Sequence, residues 1–444
     1  MDEANKQATE KSREEDEKPL DGQDPSSISR RDLLKLAGAG GIGLLLGSVG
    51  VGSVWAGTAK LGAPAASTAS NAGPKQVIPF YDTHQAGIVT PAQDFICFAA
   101  FDLTTVKLSE VRDLFRCWTE AAAKMTAGQP VGGEDDQPSL PPADTGEAAG
   151  LHPCRTTITF GVGPSLFDSR FGLGAKRPEA LADLPRFGGD SLRPEWCGGD
   201  IGVQVCADDL QVAFHALRNL TRLARGVAVL RWTQEGFQRT GGSGSAGETP
   251  RNLMGFKDGT ANPDIHDKQA MNDIVWVQPS EQPAWMSGGS YMVVRRIRMR
   301  IEVWDRSTLS DQEATFGRYR SSGAPLGAKN EFDPLALDAK DEAGQPAIPL
   351  TAHVRLAHGE GPSEKILRRS YSYSSGIDRQ TGQLDAGLLF ICYQRDPRAQ
   401  FVPIQQRLAK RDKLNEYIVH VGSALFACFP GARQGGYIGE GLFE

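Results

Sequence analysis

The hydrophobic period of this chain switches repeatedly between two and 3.6 residues, and the order of those switches leaves few folds open. Residues 93–103 (QDFICFAAFDL) read as a strand, after which Leu108, Val111, Leu114, Trp118, Ala122 and Met125 recur at helical spacing. Residues 156–162 and 201–206 read as two further strands, 210–223 as a helix and 226–233 as a closing strand. Beyond a Gly/Ser-rich loop at 241–249 a similar order begins again. Residues 290–304 are strand-rich, Ser310-Asp311-Gln312-Glu313 resembles a capping box that opens a helix, 369–375 and 388–394 are strands, and a helix follows near 404–408.

Strand, helix, strand, strand, helix, strand is the order of a ferredoxin-like unit. The expected fold class is α+β: two ferredoxin-like units whose antiparallel sheets form a barrel-like repeat. The boundaries that follow are 76–240 for the first unit and 250–444 for the second. A small, polar, proline-containing stretch at 57–75 reads as a flexible linker, and 127–150 as a surface loop.

Residues 1–56 have a different character. Ser29-Arg30-Arg31-Asp32-Leu33-Leu34-Lys35 precedes a run from Leu36 to Ala59 without one charge, the order of an n-region and an h-region. It resembles a twin-arginine signal, with Leu33 where Phe is commoner, a long acidic extension in front, and small residues for cleavage after Ala56. The alternative is a membrane helix, since about 20 apolar residues span a bilayer; the glycine-rich composition suits a removable signal better. A twin-arginine signal implies export in the folded state, to the periplasm or beyond the cell.

Charge and cysteine usage remove other classes. The net charge of -6 is concentrated in the acidic residues between Asp2 and Asp24, and no later stretch interleaves Lys and Arg with aromatic residues. A nucleic-acid partner is therefore not expected. The seven cysteines contain no CxxC and are odd in number, which disfavours both a zinc ribbon and a disulfide framework. Cys97 in FICFAAF and Cys428 in ALFACFP read as small buried hydrophobes.

The most informative segment is residues 252–263, NLMGFKDGTANP, in which Gly255 and Gly259 flank the carboxylate of Asp258. Glycine permits positive φ or close approach to a large planar ligand. Read alone, DG followed by NP is equally a turn. The G-x-x-D-G-T-A-N-P run resembles the hallmark of the dye-decolourising (DyP-type) haem peroxidases. Four other segments resemble the exported deferrochelatase/peroxidase branch of that family: YDTHQAGI at 81–88, AHVRLA at 352–357, ILRRSYSY at 366–373 and GLLFICYQ at 387–394.

The resemblance implies a haem b cofactor in the second unit, with hydrogen peroxide and an organic, dye-like or phenolic, reductant as substrates. His353 matches the proximal iron ligand, and His358 falls at the pocket wall. Asp258 matches the distal acid-base residue, which accepts a proton from peroxide and returns it to the departing oxygen. An unperturbed aspartate ionises near pH ~3.9, so activity is expected to favour acid. Arg368 matches the distal arginine that stabilises charge as the O–O bond breaks and can also contact the haem. Arg369 is the structural alternative, because neighbours on a strand face opposite sides. Gly259, Thr260 and Ala261 are expected against the porphyrin and Phe390 on the distal wall.

A shorter segment follows His353 than in some relatives, and Asp396 is a candidate acceptor for its ring. Trp276, Trp285, Tyr371 and Tyr373 are candidates to relay electrons from substrates too large to reach a buried haem. The rival function is haem handling in an iron-uptake system, as a deferrochelatase working with membrane partners; a homodimer is a further expectation.

Overall fold

The computed structural model describes Gly73 and residues 75–133, 138–238, 248–281, 283–359 and 361–444. The chain divides at Ser67 into two units, and the described residues belong to the second. The export signal, most of the linker and most of the 241–249 loop lie outside them.

Among the described residues, nine strands form one antiparallel sheet. They are β1 (Phe95–Leu103), β2 (Thr157–Val162), β3 (Ile201–Ala207), β4 (Ala228–Phe237), β5 (Ser290–Met299), β6 (Leu367–Arg368), β7 (Tyr371–Ile377), β8 (Leu384–Gln394) and β9 (Ile418–Cys428). Their order is β5-β9-β2-β3-β1-β4-β7-β8-β6, and pairing of β5 with β8 closes the sheet into a barrel. Within it the first unit runs β2-β3-β1-β4. With β6 and β7 taken as one interrupted strand along β8, the second unit repeats that order as β7-β8-β5-β9. Two ferredoxin-like sheets thus share one barrel. The seams between them are short: Gly161 and Val162 pair with Cys428 and Ala427, and Phe237 pairs with Ser372.

The helices are α1 (Leu108–Thr126), α2 (Leu210–Leu223), α3 (Lys268–Ile274), α4 (Ile301–Trp304), α5 (Leu309–Phe316), α6 (His353–Ala357), α7 (Phe401–Arg411) and α8 (Glu440–Phe443). The periodic residues of α1 behave as read, since Val111, Leu114, Trp118, Ala122 and Met125 are all buried. Asp209 caps α2 by accepting from the Val212 N–H at 3.0 Å.

Strands β2, β3 and β5 are buried along their whole length, because one face lines the barrel interior and the other carries a packed layer outside. Phe98, Trp232, Met292, Tyr371, Tyr393 and Phe426 belong to one core cluster, and Phe101, Trp118, Phe160 and Phe401 to another.

Three readings need correction. The capping residue of α5 is Thr308, whose hydroxyl accepts from the Asp311 N–H, and not Ser310. The strand expected to run to Trp304 ends at Met299 and gives way to α4. The eleven-residue β9 was not anticipated, because Gly422 and a register shift opposite Arg296/Ile297 break its alternation. All seven cysteines are free.

Outside the barrel, Arg295 on β5 is fully buried and forms an ion pair with Asp190 from the first ferredoxin-like unit. His420 on β9 lies 3.9 Å from the same carboxylate. Burial, reinforced by the Arg295 cation, depresses the His420 pKa to about 3. The unfolded chain takes up this proton below about pH 6.5, whereas the folded chain does so only near about pH 3. Stability is therefore lost on acidification between those limits. His420→Gln is expected to flatten the fall, by up to about 1.4 kcal/mol per pH unit. Denaturant unfolding at a series of pH values checks this, and parallel profiles for the two proteins would exclude His420 as the source.

Candidate active site

Three segments far apart in sequence build the site; the first two line a cavity of about 460 Å³, and the third, which carries His353, lies outside that lining. The first is the turn carrying Asp258. Its N–H donates to the Pro250 carbonyl at 2.8 Å, while the Asn252 N–H donates to Phe256 C=O at 2.9 Å and the Gly255 N–H to Asn252 C=O at 3.0 Å. Gly255 and Gly259 have φ of +84° and +129°. A Cβ on Gly255 would lie 2.9 Å from the guanidinium of the exposed Arg320 side chain, which can move aside, so it is the positive φ that calls for glycine at position 255.

The loop is fastened from behind by Glu331. Lys257 Nζ lies 2.5 Å from one carboxylate oxygen and the Thr260 hydroxyl donates to the other at 2.8 Å. Burial pushes the Glu331 pKa up, but these donors outweigh it and hold the carboxyl below its ordinary range.

The second segment is β6. Arg368 Nη1 donates to Asp258 Oδ1 at 2.5 Å, a charge-assisted contact with both side chains about a quarter exposed. Arg369 points the other way, as alternation on a strand requires. It is buried and donates to the Thr90 carbonyl and to Gln93 Oε1.

The third segment is the start of α6. His353 Nδ1 is hydrogen-bonded at 2.6 Å to Oδ2 of Asp412, a buried carboxylate whose Oδ1 accepts from the Leu414 N–H. Burial disfavours the imidazolium, but the Asp412 charge and hydrogen bond outweigh it, so the His353 pKa is raised. Arg368 and Asp258 act on the same ring at longer range, the first lowering and the second raising its pKa. Nε2 has no hydrogen-bond partner among the described residues.

Residues 85–238 match the family described as Dyp-type peroxidase, N-terminal, and residues 249–433 match Dyp-type peroxidase, C-terminal. The chain belongs to the Dyp-type peroxidase family. It is 41% identical over 423 residues to the deferrochelatase of Escherichia coli (strain K12), covering 94% of this chain and 97% of that one. Among solved structures it superposes on ferric DtpA from Streptomyces lividans with a TM-score of 0.78 at 39% identity, covering 84% of this chain and 98% of that one. A DyP-type peroxidase from Cellulomonas bogoriensis gives 0.77 at 43%, covering 84% and 99%.

The protein is thus a haem-dependent peroxidase, and its residues fit haem. No group of three or more His, Cys, Asp or Glu among the described residues could hold a bare metal ion. A single imidazole oriented through Nδ1 by a carboxylate suits an iron that brings its own equatorial nitrogens.

The cavity lining includes Asp258, Gly259 and Arg368 with Asn262, His266 and Leu388. Phe390 is half-buried, its ring 6.1 Å from that of Phe401. Because Arg368 pairs with Cys392, Phe390 two residues away shares the Arg368 face of the sheet.

Other expected positions do not line this cavity. Thr260 commits its hydroxyl to Glu331, Ala261 is exposed, and His358 is exposed beyond the last turn of α6 and does not line this cavity. Asp396 accepts from Arg398, so the guess that it orients His353 is replaced by Asp412. Trp276, Trp285, Tyr371 and Tyr373 are all buried, which removes the exposed aromatic surface expected of them.

In the porphyrin-free protein, Asp412→Asn is expected to lower the His353 pKa from its wild-type value. An NMR titration of labelled imidazoles reads this directly, and an unmoved titration would sever the electrostatic link between the two residues.

Proposed function

We propose that this protein reduces hydrogen peroxide at haem b held by His353, with Asp258 and Arg368 as the catalytic pair and an organic molecule as reductant. The observation that carries the reading is the 2.5 Å Asp258–Arg368 contact, assembled beside a cavity from segments 110 residues apart. Haem, when bound, supplies the redox-active iron that exchanges electrons with peroxide and reductant. His353 offers Nε2 to that iron, and Asp412 fixes the ring orientation through Nδ1.

Asp258 Oδ1 is occupied by Arg368, which leaves Oδ2 to take the proton from one peroxide oxygen and deliver it to the other as water departs. The Arg368 guanidinium stabilises the negative charge that grows as the O–O bond lengthens, and as a fixed cation it needs no reorganisation to do so. Gly259 keeps a side chain out of the cavity beside this pair. Thr260 contributes through Glu331, by holding the loop.

A second reading, release of iron from haem, is favoured by the name of the curated relatives, deferrochelatase. Both readings use His353 and differ in what they ask of Asp258. The Arg30-Arg31 segment and the uncharged run after it support export by the twin-arginine route.

Asp258→Asn is expected to lower kcat/KM for hydrogen peroxide by about 10²- to 10⁴-fold while the haem absorption band is retained. Turnover unaffected by the change would exclude the acid-base role, and iron release measured on the same variant separates the two readings. Replacing Arg30 and Arg31 together by lysine is expected to leave the protein in the cytoplasm. Fractionation checks this, and unchanged export would discard the signal assignment.

A further inference from the structure

We propose that Asn262 is the positioning residue that sets where the Arg368 guanidinium stands relative to Asp258. The inference rests on the reading of Asp258 and Arg368 as the pair that acts on peroxide.

Its carboxamide makes two hydrogen bonds to the backbone of a single residue. Oδ1 accepts from the Arg368 N–H at 3.0 Å, and Nδ2 donates to the Arg368 carbonyl at 2.7 Å. That is the pair of bonds a neighbouring strand would make to one residue. The position calls for it. Just past β6 the Arg369 N–H turns towards β8, where it donates to Ile391 C=O at 2.8 Å, so the Arg368 amide and carbonyl face the opposite edge. The Asn262 side chain occupies that edge in place of a strand.

Asn262 is itself fixed to the catalytic turn, because its own N–H donates to the Gly259 carbonyl at 2.9 Å. Asp258 and Arg368 are therefore joined twice: directly through carboxylate and guanidinium, and through a short frame running from Gly259 by way of Asn262 to the Arg368 backbone. The first link weakens when Asp258 Oδ2 takes a proton and the carboxylate loses its charge, whereas the second does not involve the reacting groups. Although Asn262 lines the cavity, its oxygen and one of its N–H donors are spent on Arg368, so it acts through that residue.

The test uses holoenzyme carrying Asn262→Ala and Asn262→Ser, each with and without Arg368→Leu. In the wild-type background the rate constant for reaction with peroxide is expected to fall by about tenfold to a hundredfold. Fluoride affinity of the ferric enzyme, which depends on a correctly placed distal donor, should fall with it while melting temperature and haem content hold. In the Arg368→Leu background the same substitutions should add nothing further.

Equal fold losses in both backgrounds would show a general structural role and overturn the inference, as would wild-type rate and fluoride affinity in the single variants. If Arg368→Leu alone leaves the peroxide rate untouched, the reading of Arg368 fails and the positioning role fails with it. If Arg368→Leu is slow and Asn262→Ala is not, only the positioning role falls.

Discussion

The stack of Phe256 on Phe316 is the contact on which the arrangement of the site depends. The rings lie 4.1 Å apart and nearly parallel, and the edge of Phe316 meets His353 at 6.1 Å. Phe256 stands two residues before Asp258, so one aromatic pair connects the turn bearing the carboxylate to the helix bearing the imidazole. Met254, Met299, Trp304, Leu414 and Tyr417 complete the cluster, and Leu414 follows Asp412 by two residues. A separate hydrophobic cluster therefore holds both sides of the site, apart from the barrel interior and the helix-covered layer. Apolar packing of this kind is stiff because it tolerates little change of volume, so the turn and the helix are held at a fixed separation.

Strand alternation supplies the second constraint. Arg368 and Arg369 are adjacent cations with opposite fates: one pairs with Asp258 at the cavity, and the other is sealed among Thr90, Gln93 and the barrel aromatics. A slip of one residue in β6 would exchange them and leave the site with a different geometry. β6 is only two residues long, and its register on β8 rests on the Leu367–Tyr393 and Arg368–Cys392 pairs. The Asn262 carboxamide, on the open edge, adds the bonds that such a short strand cannot provide for itself.

What could be read from sequence follows the range of the interaction concerned. Local conformation was legible: Gly255 and Gly259 do take positive φ, α2 begins and ends where its apolar spacing does, and the repeated order of strands and helices yields two sheets of the same order. Also legible was that Arg368 and Arg369 face opposite sides, so that only one of them meets Asp258. Asp412 was not. It lies 59 residues from His353 at the end of α7, where an acidic residue carries no local mark of an imidazole partner, and the nearer guess, Asp396, is occupied by Arg398. Glu331 was hidden for the same reason, being joined to Lys257 and Thr260 only by a long-range fold of the chain. Thr260 and Ala261 were read from small size alone; the first bonds to Glu331 behind the loop, and neither lines the cavity.

The barrel aromatics invite a role in carrying electrons to large substrates, but their surroundings argue for packing. Tyr371 and Tyr373 are fully buried, and burial pushes both phenols well above the ordinary tyrosine range, so neither releases its proton readily. One-electron oxidation of a phenol that keeps its proton is costly. Tyr373 also faces the Arg296 guanidinium at 4.3 Å, with Trp196 at 4.3 Å from the same cation. That sandwich is stabilised by the negative faces of the two rings, and removing an electron from either ring would place a second positive charge beside the first. The interaction that makes the sandwich a good structural element therefore makes it a poor resting place for an oxidising equivalent, and the same ring faces cannot serve both purposes well.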